Sequence, residues 1–151
     1  MTSDAESGFA TIPESYDLRE DLPTLEQFAE LRDAAGLPAR SREGIERGLP
    51  NSLYGVTVAY GPNDEVVGMG RIIGDGRTVF QIGDLAVRPE HQGNGLGTAM
   101  MAALVSHLEE NAPPRAYVNL MADTDGFYDR FGFKETRPES KGMYRRTGEE
   151  R

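Results

Sequence analysis

The residues with most chemical content lie together at Gln92-Gly93-Asn94-Gly95-Leu96-Gly97-Thr98. Three alternating glycines carry no Cβ, so several backbone N–H groups can turn toward one anion. The run follows a strand-like segment and opens the most regular helical pattern in the chain. The helix dipole adds partial positive charge at the same place. A phosphate or pyrophosphate suits such a cradle; a flexible turn is the plainer reading of the glycines alone. Two familiar phosphate loops fail on spacing. G-x-x-x-x-G-K-[ST] needs a lysine that is absent beside Thr98, and G-x-G-x-x-G belongs early in a βαβ unit. Here the run is G-x-G-x-G, late in the chain and after a strand meander.

Other reactive groups are few. Cysteine is absent, which excludes disulfides, thiolate nucleophiles and Cys-based metal sites. His91 and His107 are the only imidazoles, too few for a multi-histidine metal site. Asp84 interrupts an apolar strand-like run, and Tyr128 sits among Phe127, Phe131 and Phe133. A net charge of −9 argues against nucleic acid and favours a cationic partner at long range. Only Lys134 and Lys141 break an otherwise all-arginine set of 16 basic residues, which fits GC-rich coding or a salt-adapted setting. No apolar run reaches the ~18 residues of a membrane span, and the acidic start is unlike a signal peptide, so the expected location is cytoplasmic.

The elements that must position these residues follow from period and punctuation. Residues 1–8 and 147–151 read as disordered tails around one domain at 9–146. Phe9–Asp17 is a candidate first strand weakened by Pro13. Leu22, Leu25, Phe28 and Ala29 recur at helical spacing. Thr24 is a candidate N-cap with Gln27 three residues on, and Gly36 and Pro38 stop that helix. Ser41–Arg47 reads as a second short helix. Leu53–Tyr60, Val66–Ile73 and Val79–Val87 read as three strands joined by turns at 61–64 and 74–76, an antiparallel meander. Leu96, Ala99, Met100, Ala103, Leu104, His107 and Leu108 trace one face of a long helix ended by Pro113 and Pro114. His107 reads as a partner for that helix's C-terminal dipole. A strand at Ala116–Met121, a short helix at Thr124–Arg130 and strands at Phe133–Glu135 and Gly142–Arg145 complete the order. The class is α+β, with a mixed, mostly antiparallel central sheet and flanking helices.

Asp84-Leu85-Ala86-Val87-x-Pro89 followed by Gln92-x-x-Gly95-x-Gly97 resembles the acetyl-coenzyme A signature of the GCN5-related N-acetyltransferase (GNAT) family. Gly126-Phe127-Tyr128-x-x-Phe131-Gly132-Phe133 is similar to that family's second signature, and the element order agrees across Phe9–Arg146. Gly68-Met69-Gly70-Arg71, Leu120-Met121-Ala122-Asp123 and Gly142-Met143-Tyr144 resemble a subgroup acting on small amines, including aralkylamines.

The resemblance implies roles. Gln92, Gly93, Asn94, Gly95, Leu96, Gly97 and Thr98 would hold the pyrophosphate of acetyl-coenzyme A. Leu85, Ala86 and Val87 would pair with the pantetheine arm where their strand splays from Ala116–Met121, and an N–H near Leu85 would polarise the thioester carbonyl. A primary amine would attack the thioester directly. Asp84 would be the base, through water, or else a structural hydrogen-bonding group. Tyr128 would protonate the leaving thiolate, or else be a core aromatic. Many family members carry a cofactor-contacting Asn seven residues before that Tyr; here the position is Met121, with Asn119 as a substitute or a strand-edge residue. His91 reads as a phosphate contact or a solvated loop residue. Arg71 is substrate-facing or an ion-pair partner, and Tyr54, Phe80 and Tyr144 line an acceptor pocket or pack on the sheet. Two copies would pair through sheet edges, with Gly142–Arg145 as the candidate edge. The competing reading is a non-catalytic acyl-coenzyme A sensor on the same fold.

Overall fold

The computed structural model describes residues 11–148. Its strands are β1 (Tyr16–Arg19), β2 (Tyr54–Tyr60), β3 (Glu65–Gly74), β4 (Val79–Val87) and β5 (Tyr117–Asn119). Its helices are α1 (Leu25–Ala34), α2 (Arg42–Gly48) and α3 (Leu96–Asn111). The strands form one sheet in the order β1-β2-β3-β4-β5, antiparallel except for the parallel pair β4–β5. This is the α+β architecture expected from the sequence.

Local signals place the helices. Thr24 Oγ1 accepts from the Gln27 N–H at 3.1 Å, and the Gln27 side chain accepts from the Thr24 N–H at 2.9 Å, a reciprocal capping box. Ser41 caps α2 through the Gly44 N–H. α3 packs on β2, β3 and β4, while α1 packs against α2, β3 and β4. Alternation along β3 serves both faces. Met69 joins Phe28, Leu31, Ile45, Leu49 and Ala86 in one buried cluster. Gly68 and Gly70 face the other way, toward α3. A Cβ on Gly70 would lie 2.9 Å from Leu85 and 3.2 Å from Leu104, so the missing side chain lets the helix sit close.

Two compact units make up the chain, Met1–Leu120 and Met121–Arg151. Among the described residues, every strand and α-helix lies in the first, and the one assigned element of the second is a 3-10 turn at Asp129–Phe131, beside the ring contacts of Phe127 with Tyr128 and Phe131.

Several expectations are corrected. The first strand is Tyr16–Arg19, later than Phe9–Asp17, because Pro13 opens a turn closed by the Tyr16 N–H. Phe9 and residues 1–8 lie outside the described residues, as do 149–151. The segment 124–130 forms no α-helix, only the start of the 3-10 turn at Asp129–Phe131: Gly126 takes φ +85°, and the stretch is too short to nucleate unaided. Phe133–Glu135 and Gly142–Arg145 form no strands. Their residues are almost all exposed, so no buried face stabilises a two-stranded ribbon, and the proposed dimerisation edge is absent. The strand expected at Ala116–Met121 is shorter, Tyr117–Asn119.

Candidate active site

β4 carries the site. It pairs with β3 along its length, but β5 pairs with it only at Val79–Gln81. Beyond Gln81 the β5-side edge of β4, including Leu85, Ala86 and Val87, is left without a strand partner among the described residues. A register shift between Met69 and Arg71 marks a bulge opposite Asp84. Asp84 has φ +57°, a left-handed conformation that aspartate adopts more readily than most residues.

After Val87 the chain makes a 3-10 turn, Pro89–His91, and enters the glycine loop. Gln92 ties loop to strand: its Nε2 donates to the Val87 carbonyl at 3.1 Å. Gly93 (φ +86°) and Gly95 (φ +81°) take left-handed conformations, and Gly95 is the N-cap of α3 with no side-chain cap. The first-turn N–H groups around Leu96, Gly97 and Thr98 are therefore not satisfied by a capping side chain, and a helix of sixteen residues directs its dipole toward them. Asn94 is held inward: its Nδ2 donates to the His91 carbonyl at 3.0 Å and the Tyr16 hydroxyl at 3.3 Å. The Tyr16 hydroxyl also meets His91 Nδ1 at 2.8 Å, and the His91 ring packs against Tyr16 and Tyr60. His91 is thus part of the loop's support from β1 and β2.

The Asp84 carboxylate is clamped. One oxygen is bonded by Arg32 Nη1 and the other by Arg71 Nε at 2.7 Å. Arg32 is buried, and its Nε and Nη2 both donate to the Pro38 carbonyl. Burial lowers the Arg32 pKa below its ordinary value, the charge of Asp84 opposes this, and Arg40 and Arg71 push it further down. Phe28 lies beneath both guanidinium groups, 6.0 Å from Arg32 and 5.3 Å from Arg71. Arg71, left open between substrate contact and ion pair, is an ion-pair partner that also reaches a cavity.

Tyr128 belongs to the second unit. Burial raises its pKa above the ordinary tyrosine value, and Asp123 adds to this by charge and hydrogen bonding. Met121 in that unit is exposed and lies against Gly142. Asn119 accepts from Gln81 Nε2 at 3.0 Å, tying β5 to β4. Tyr54 stacks on His107 at 3.9 Å and donates to Glu20; Phe80 is buried in the sheet, and Tyr144 is exposed.

Sequence reasoning missed Arg32 and Tyr16. A signal for Arg32 was present: it falls four residues after Phe28, on the apolar face of α1, and a cation there demands a buried carboxylate.

The pattern that defines the family "Acetyltransferase (GNAT) domain" matches residues 37–144. The chain belongs to the GNAT acetyltransferase family. This acetyltransferase is 41% identical, at a TM-score of 0.81, to a protein of unknown function from meticillin-resistant Staphylococcus aureus whose structure was named a probable acetyltransferase; the match covers 87% of this chain and 98% of that one. It is 26% identical over 141 residues to the uncharacterized N-acetyltransferase ycf52 of Gracilaria tenuistipitata var. liui, covering 91% of this chain and 76% of the relative. The fold is shared with a GNAT acetyltransferase of Brucella melitensis solved with acetyl-CoA, at 20% identity and a TM-score of 0.59 over 79% of this chain and 82% of that one. Among the described residues no helix is long and apolar enough to cross a membrane.

Proposed function

We propose that this GNAT acetyltransferase, acting as one domain over residues 9–146, moves the acetyl group of acetyl-coenzyme A to a primary amine by direct attack. The observation that carries this reading is the adjacency of an unpaired β4 edge to a bare-backbone loop at the N-terminus of α3. Together they offer a strand partner for an amide-bearing arm and an anion cradle at its end. Gln92–Thr98 receive the pyrophosphate; Leu85, Ala86 and Val87 pair with the pantetheine amides.

In the reaction the amine nitrogen's lone pair attacks the thioester carbonyl carbon. The C–S bond breaks with its electron pair leaving on sulfur, the nitrogen loses a proton, and the thiolate gains one. Tyr128 is proposed as the acid, since a hydroxyl that resists ionisation can still donate near neutrality. Asp84 has two candidate roles. Its place beside Leu85 suits a base acting through water. Its two guanidinium partners favour an anchor, because taking a proton would weaken both charge-assisted bonds.

The test is thiol release from acetyl-coenzyme A across a panel of primary amines. Thermal stabilisation by acetyl-coenzyme A without release to any amine would favour the sensor reading. Tyr128→Phe is expected to lower turnover by ~10²–10⁴-fold with cofactor affinity nearly unchanged. Asp84→Asn separates its roles: an anchor loses stability with the pH profile unmoved, whereas a base keeps the fold and flattens the rising limb.

A further inference from the structure

A cavity of about 160 Å³ opens beside α1, α2 and β3. Phe28, Ile45 and Leu49 give it an apolar wall, and Arg40 and Arg71 give it charge. The charge is unbalanced. Arg32 and Arg71 share the single carboxylate of Asp84. Arg40 has no ion pair among the described residues, and guanidinium groups do not give up their protons. Three cations against one anion leave a local excess of two positive charges. The carboxylates of α1 and α2 that form ion pairs do so elsewhere: Glu26 with Arg42, Glu30 with Arg88 and Glu43 with Arg47. The repulsion is felt within the cluster, since Arg40 and Arg71 both disfavour the charge on Arg32. Arg71 also has donors to spare: Nε serves Asp84 and Nη1 serves the Ser52 hydroxyl at 3.0 Å, while among the described residues Nη2 serves no one.

We infer that this cavity receives the acidic group of the acceptor, so that the enzyme acetylates an amine that also carries an oxyanion, a carboxylate or a phosphate, beside an apolar body. The inference rests on the acetyl-transfer reading for the word acceptor, and on the arginines and cavity for the anion. A planar oxyanion matches the guanidinium fork in shape as well as charge. The apolar wall suits a hydrocarbon body of modest size. Position agrees with chemistry: Asp84, the partner of Arg71, immediately precedes Leu85, where the thioester is proposed to lie. The net charge of −9 favours a cation at long range, but such fields are screened beyond about 8 Å at physiological ionic strength, so the arginines decide at contact. The anion makes and breaks no bond; it orients the amine for the transfer described above.

The experiment compares matched acceptors in the thiol-release assay: phenylalanine against phenethylamine for the carboxylate, and O-phosphoethanolamine against ethanolamine for the phosphate. The acid-bearing member of at least one pair is expected to have a ten- to hundredfold higher kcat/KM, roughly the worth of a charge-assisted hydrogen bond. Arg40→Gln should reduce this preference and Arg40→Glu should abolish it, both through KM. Because Arg40 is exposed, neither variant removes a core contact. Binding of N-acetylphenylalanine and of N-acetyl-O-phosphoethanolamine, titrated by NMR without acetyl-coenzyme A, is read in parallel and does not depend on turnover. Equal or better use of phenethylamine and ethanolamine would leave acetyl transfer standing and overturn the anion inference. Arg40-dependent binding of either acetylated acid, with thiol release to no amine, would support the anion cavity while removing the transfer reading. Binding of both acids that is indifferent to Arg40→Glu overturns the inference whatever the turnover.

Discussion

The glycine loop and the Asp84 cluster flank the same three residues of β4, yet they are built in opposite ways. The ligand-facing part of the loop is consecutive backbone, with Gly93 and Gly95 in left-handed conformations and the uncapped first turn of α3; Gln92 ties it to Val87, and Asn94 and His91 reach a distant hydrogen-bond partner, Tyr16. The cluster is made of side chains brought from far apart, Arg32 lying 52 positions and Arg71 13 positions from Asp84. The loop is open and has little to lose when its ligand is absent. The cluster is nearly closed to water, and its charges are held by bonds to one another. A site for a diffusible anion can be local and cheap to form, whereas a fixed ion network must be secured by the packing around it.

Substitutions can separate the two. Asp84→Ala leaves two guanidinium groups facing each other and is expected to destabilise the fold by about 3–5 kcal/mol, measured by chemical denaturation. A loss below about 1 kcal/mol would show the cluster to be solvated and the contrast overstated. Gly95→Asp attacks the loop. It should cost the fold only about 1 kcal/mol through its left-handed φ, while placing a carboxylate where the pyrophosphate is proposed to sit. Stabilisation by acetyl-coenzyme A at ~100 times its dissociation constant, about 2.7 kcal/mol in the wild type, should vanish. An unchanged melting shift would take the loop out of the cofactor site.

Smaller effects sharpen the comparison. Thr24→Ala removes the capping box of α1, the helix that delivers Arg32, and should cost about 1 kcal/mol by thermal melting. That is well below the Asp84 effect, because an exposed local cap can be replaced by water. The least change concerns Tyr128. Its pKa is raised above 10, so between pH 8 and 10 its ionisation should alter turnover by less than about twofold. Amine deprotonation should set the rising limb, and any alkaline fall should begin above pH 10. The stability linked to Tyr128 has the same sign: intact below pH 10, and lost as pH climbs through the raised value. A turnover profile that bends down near pH 8 and does so no longer in Tyr128→Phe would contradict this.

Elements governed by neighbours were legible in the residues. The capping box at Thr24 and Gln27, the meander turns at 61–64 and 74–76, the Val79–Val87 strand and the face of α3 all depend on spacing within a few residues. The glycine loop was legible for the same reason, since missing side chains and a helix start are adjacent in the chain. The segment after Leu120 was misread. A strand pair was expected around Phe133–Glu135 and Gly142–Arg145, but these residues are almost all exposed, and a segment without a buried face forms no stable ribbon.

The amino-acid sequence alone determined where backbone would be bare, where helices would begin, and which family signatures the chain carries. Tertiary structure alone decided that Asp84 faces two arginines, that β5 leaves β4 after Gln81, and that Arg40 and Arg71 share a cavity walled by Phe28. The physical reason is range. Backbone conformation and capping are set by interactions spanning a few residues. The partner of a buried charge is chosen by which surfaces meet when helices α1 and α2 close onto the sheet.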